Sequence, residues 1–151
     1  MHRVLGNEYH TTVVCIDSYQ DRVLRGRLYN LMLNGAVPFT GFIEFLLAME
    51  TILDQMNFPQ PFTAERSFRP VDKTLPPVRT ENMEQRGQAA TFSIKVIFRQ
   101  NASWQGTVAW LEEGREESFR SVLELGMLLN SALTDTGQSD EYELGKTSPP
   151  A

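Results

Sequence analysis

Few residues in this chain are equipped for chemistry, so their spacing decides what they can do. Glu44 and Glu124 hold matching places at the start of two apolar helical stretches. A carboxylate pair can divide acid and base roles when its surroundings separate the two pKa values. Each of these, however, lies three residues after a cap position, Gly41 or Ser121. Ser121-Val-Leu-Glu124 has the form of a capping box, in which the carboxylate returns to the cap's backbone N–H and sits at the positive helix end. Capping is the reading adopted for both. Cys15 is the one cysteine, which excludes an intramolecular disulfide. No basic partner that would activate it is visible, so it reads as a small core or near-core side chain. His2 and His10 both fall in the lead-in, and with a single cysteine they make no metal set. Gly145-Lys146-Thr147 imitates the end of a phosphate loop, but Asp140 stands where the first glycine is required. There is no Gly-x-Ser-x-Gly elbow. No catalytic residue, metal or cofactor is assigned, and the expectation is a protein that is not an enzyme.

The most suggestive set is basic and aromatic. Strand alternation places Cys15, Asp17, Tyr19, Arg25, Arg27 and Tyr29 on an open sheet face, joined there by Lys95, Arg99, Ser103, Gln105 and Thr107. Cations for phosphate and aromatic rings for bases are what a single-stranded nucleic-acid platform uses. The blander reading is a solvated face with arginine stems covering apolar surface, and a protein-binding face is the third. Tyr19, Arg25, Arg27, Tyr29, Lys95, Arg99 and Gln105 are the candidate binding residues.

The elements that must position these groups come in two similar series. An offset of 80 residues lays Gln20 on Gln100, Gly26 on Gly106, Leu31 on Leu111, Phe39 on Phe119, Glu44 on Glu124 and Leu53 on Leu133. Hydrophobic class follows: Val14 and Ile16 fall on Ile94 and Val96, and Leu24 on Trp104. Each series reads as three strands and a helix. In the first, strands over 12–19 and 23–31 are joined at Gln20-Asp21, Asn34-Gly35 marks a hairpin, and a helix runs from about Gly41 to Met56. In the second, strands occupy 92–99, 104–111 and 115–119, with a hairpin at Glu113-Gly114 and a helix from about Ser121 to Leu133. Gly26 and Gly106 are mid-strand glycines, which mark a bulge or a close approach; room for a helix side chain is expected there. Trp104 and Trp110 share one parity and are expected in the core. The first helix is apolar over more than one face and needs cover on two sides, from the sheet and from the second helix or a partner subunit.

Five prolines, from Pro59 to Pro77, make 57–91 a connection rather than a helix or central strand. Phe58, Phe62 and Phe68 are expected to anchor its first half, and its second half to be mobile. Residues 134–151 are acidic and polar and read as a disordered tail. The expected domain is 1–133, with repeat one at 12–56 and repeat two at 92–133.

Four segments, MHRVLGNEYHTTVVCIDSYQDRVLRGRLYN (Met1 to Asn30), MNFPQ (Met56 to Gln60), FRQNASWQG (Phe98 to Gly106) and SFRSVLEL (Ser118 to Leu125), give the chain its resemblance to an uncharacterised family of small cytoplasmic bacterial proteins, common in anaerobic gut bacteria. The resemblance implies no activity and carries over no site. Net charge of −5 argues against general attraction to nucleic acid or anionic membrane. No apolar run approaches the roughly 18 residues a membrane span needs, and a soluble cytoplasmic protein is expected. The expected fold is α+β: a mainly antiparallel sheet of about six strands with two helices on one face, the halves related by pseudo-twofold symmetry. The expected role is a non-catalytic binding or adaptor module for a protein partner or a second copy. A nucleic-acid accessory protein using the basic face is the alternative, and a small-molecule-binding protein or enzyme the third.

Overall fold

A computed structural model describes residues 10–33, 35–57, 59–61, 66–72, 74–75, 85–100 and 103–146, with side chains as far as residue 134. Strands β1 (Thr11–Gln20), β2 (Val23–Tyr29) and β3 (Val37–Thr40) precede helix α1 (Phe42–Met56); β4 (Ala90–Gln100), β5 (Ser103–Trp110) and β6 (Arg115–Phe119) precede helix α2 (Val122–Lys146). The six strands form one antiparallel sheet in the order β3-β2-β1-β4-β5-β6, giving an α+β fold.

One sheet face is the core. Val14, Ile16, Leu24, Leu28, Phe92, Ile94, Val96, Trp104 and Val108 are buried with Phe45, Met49, Ile52 and Leu53 of α1 and Leu125 and Leu129 of α2. Each such large side chain contributes roughly 1.5–3 kcal/mol by leaving water. Trp110 packs on the same core from its rim, sharing the face of Trp104. Helix α2 meets α1 at its start, where the Phe42 ring lies 3.2 Å from the place a side chain on Gly126 would take, and Leu75 of the connection lies along Leu47, Ala48 and Thr51.

The hydrogen-bond register repeats at the 80-residue offset. In the central ladder Thr11 pairs with Lys95, Cys15 with Thr91, and Val13 with Ser93. The offset exchanges the first two pairs and returns the third to itself. Gly26 pairs with Phe39, and Gly106 with Phe119. The register slips between Ile16 and Ser18 in β1, and between Val96 and Phe98 in β4. Asp17 and Ile97 are thus the extra residues of two matching β-bulges.

The bulges account for the strand glycines. A Cβ on Gly26 would lie 1.9 Å from the carbonyl oxygen of Cys15, and one on Gly106 would lie 1.9 Å from that of Lys95. The close neighbour is therefore backbone of the adjacent strand, not the helix side chain expected from the sequence.

The connections differ from expectation in detail. The β1–β2 turn falls on Asp21-Arg22, both with positive φ (55° and 61°), one residue beyond the expected place. The β5–β6 turn spans 111–114 and closes on Gly114 at φ 63°. Its counterpart occupies 30–36 because β2 ends at Tyr29, and its Asn34 lies outside the described residues. Leu33 of this longer loop packs on the core. Helix α2 continues past the expected end near Leu133 to Lys146; no proline interrupts the chain from Ser121 until Pro149. In the connection, Phe68 is fully exposed and anchors nothing, while Phe58 and Phe62 lie outside the described residues. Buried Pro59 and half-buried Leu75 hold the connection instead. Leu75 belongs to the half expected to be mobile. No described helix is long and apolar enough to cross a membrane.

Candidate functional site

The outer sheet face carries only part of the expected basic and aromatic set. Arg25 is exposed, and Lys95 and Gln105 are half-buried. Arg27 points into a network. Its guanidinium ion-pairs with Asp17, donates from Nε to the Tyr29 hydroxyl at 3.0 Å, and reaches the Arg86 carbonyl at 2.9 Å. Burial alone would lower its pKa; the hydrogen bonds to Tyr29 and Asp17 outweigh that and raise it. Asp17 also accepts from the Gln88 backbone N–H at 3.1 Å. Beneath lies a small cluster of Cys15, Tyr29 and Ala36. Burial pushes the Cys15 thiol up to about 11, against a smaller lowering by Arg27. At neutral pH this is a protonated, enclosed thiol, poorly suited to nucleophilic work. The network pins residues 86–88 onto β1 and β2.

Two of the seven candidate residues are on the other face. Past its bulge, β1 reverses parity, so Tyr19 pairs with core Leu24 and donates to Asn130 of α2 at 2.6 Å. Past the second bulge, Arg99 pairs with Trp104 and turns inward. Only 2% of its side chain is exposed; it pairs with Glu50 at 3.0 Å and Asp54 at 2.8 Å, and its Nε donates to the Pro59 carbonyl at 2.6 Å. The two contacts correspond: Tyr19 and Arg99 are 80 residues apart, as are Glu50 and Asn130. Each bulge turns a polar side chain toward the helix of the opposite half. A platform built from all seven residues therefore does not assemble on one face.

Sequence reasoning also missed a pair of grooves where each helix meets its edge strand. The first, of about 430 Å³, lies between β3 and α1 and is lined by Pro38, Thr40, Glu44, Leu47 and Ala48. The second, of about 460 Å³, lies between β6 and α2 and is lined by Ser118, Arg120, Glu124, Met127 and Leu128. These are the same positions at the 80-residue offset. Their surroundings differ. Asp72, Thr74 and Leu75 of the connection complete the first groove. All described lining of the second comes from β6, the turn after it and α2. Glu117 and Leu128 of the second groove also line a neighbouring cavity of about 190 Å³ beside Trp110 and Ala132. Met127 at its side is 60% exposed.

The two helix-start glutamates line these grooves and act there as caps. Glu44 accepts from the Thr40 backbone N–H at 2.7 Å, and Glu124 from that of Arg120 at 2.8 Å. Each carboxylate thus reaches one residue beyond the cap expected from the sequence. Ser121 Oγ accepts from the Glu124 N–H at 3.1 Å. The Arg120 guanidinium, hydrogen-bonded to Glu124, lowers that carboxyl to about 2. Both glutamates are held by backbone at the edges of the sheet, so they form no acid–base couple.

No family model, curated protein or solved structure matches this chain.

Proposed function

We propose that this protein is a non-catalytic binding module that engages another polypeptide along its β6–α2 edge. The observation that carries the reading is the inequality of two otherwise matched grooves. In the first half the chain's own connection lines the groove, with Leu75 packed on the core. Among the described residues, none of the connection lines the equivalent groove of the second half, where Met127 is exposed. An edge strand next to such a groove suits an extended segment, which gains backbone hydrogen bonds and a place for alternate side chains. An internal duplication accounts for the matched registers, and the role fits a cytoplasmic adaptor.

The nucleic-acid alternative has less support, because Arg27 is held by Asp17 and Tyr29, while Tyr19 and Arg99 face the helices. Site-specific photocrosslinkers at Met127 and, separately, at Arg25 test the two readings in native lysate. Discrete polypeptide adducts from position 127 and none from position 25 are expected. Nuclease-sensitive adducts from position 25, with none from 127, would replace the adaptor reading with the nucleic-acid one.

A further inference from the structure

We propose that the polypeptide received by the β6–α2 groove is the exposed connection segment of a second copy of this chain, residues 66–71. This rests on the binding-module reading and names its partner.

Both sides of the contact are present on one molecule. The segment Arg66-Ser-Phe-Arg-Pro-Val71 is exposed throughout, with Phe68 fully so and Val71 42% exposed. It carries two arginines and no acid. The receiving edge is mixed, with an excess of acid: Glu112, Glu113, Glu116 and Glu117 stand with Arg115 on and before β6, Arg120 is paired to Glu124 in the groove, and Met127 is exposed at its side. A large exposed aromatic flanked by cations suits the Met127-Leu128 wall of the groove, and the excess of glutamates along β6 favours its two arginines. The chain bends at Phe68 and Arg69, and the Phe68 ring stands fully exposed at that bend. The chain also contains its own precedent. Immediately after Val71, Asp72, Thr74 and Leu75 line the equivalent groove of the first half. That contact presents 66–71 outward from the β3 side of the sheet.

The opposite-edge placement suits an open, head-to-tail assembly. Segment and groove belong to opposite edges of a six-stranded sheet, β3 and β6. With neighbouring strands roughly 4.8 Å apart, the two edges are separated by more than 20 Å. A second copy that gives its segment to one groove leaves its own groove free for a third. The proposed contact is heterologous and repeats head to tail.

The test uses the full chain in light scattering and sedimentation across a wide concentration range, at low and high salt. Wild-type protein is expected to grow beyond dimers as concentration rises, and less so at high salt. Phe68→Asp removes the donor end and Met127→Glu the acceptor end; both positions are exposed, so unchanged melting curves control for folding. Each variant alone is expected to be monomeric. An equimolar mixture is expected to give dimers and nothing larger, because each dimer is capped at both ends. A monomeric wild type at every concentration, single variants that assemble like wild type, or a mixture that stays monomeric would each overturn the proposal. Polypeptide adducts from position 127 alongside a monomeric wild type would leave the binding-module reading standing with a different partner. Loss of both would remove the reading as well.

Discussion

The indole N–H of Trp104 donates to Glu50 Oε2 at 2.6 Å, across the interface between β5 and α1. The other oxygen of Glu50 accepts from Arg99 at 3.0 Å. One carboxylate thus serves two enclosed donors, and both belong to the second half of the chain. Asp54, which also pairs with Arg99, is 42% exposed and screened by solvent; Glu50 is 16% exposed. Glu50 is therefore the principal counter-charge of the guanidinium.

Glu50→Ala would leave the Trp104 N–H orphaned and Arg99 with Asp54 and a carbonyl. Removing one member of an enclosed ion pair strands the other, and a loss of about 3 kcal/mol is expected. Urea denaturation reads it as a lower midpoint at unchanged slope. A loss below about 1 kcal/mol would place the pair with ordinary surface bridges.

Gly26→Ala and Gly106→Ala should be costly to similar degrees, because each added Cβ meets a rigid strand carbonyl at the same 1.9 Å. Neither clash can be relieved by a rotamer change, so the backbone must move. About 2–3 kcal/mol is expected for each. Equilibrium unfolding of the two variants side by side checks this; a tolerated alanine at either site, or widely different losses, would contradict the shared bulge geometry.

Those glycines also mark the limit of what the sequence made legible. Strand number, helix starts and the paired tryptophans follow from β-branched runs, the Ser121 cap and alternation, all of them local signals. The bulges do not, because the inserted residues, Asp17 and Ile97, have side chains that any strand accepts. Strict alternation carried past them assigns Tyr19 and Arg99 to the wrong face. The available signal was on the partner strand, where Gly26 and Gly106 each pair with the residue just before a bulge. The grooves were beyond reach for a different reason. They depend on how far each helix stands from its edge strand and on where the connection runs, and neither is a local property. The end of α2 was misjudged because acidic, polar composition says little about a helix that no proline stops.

Acid should erode stability through Glu124. Its carboxyl titrates at about 2 in the fold, below the ordinary 4.5, first because of the hydrogen bond from the Arg120 side chain and then that from the Arg120 backbone. The charged form is the one the fold favours. Its contribution is complete above pH 4.5 and is lost as pH falls toward about 2. Thermal melts of wild type and Glu124→Gln should differ most above pH 4.5 and converge near pH 2. A gap that stays constant through that window would assign the effect to shape rather than charge.

The central ladder has a consequence for how such a chain can be cut and rejoined. Since Val13 meets Ser93 at its midpoint and the flanking pairs trade places across it, the seam asks the same shape of both contributors. A fragment ending after α1 would expose on β1 an edge shaped to accept another like itself. Severing the chain within the connection should therefore leave two pieces that can find each other again without a covalent tether.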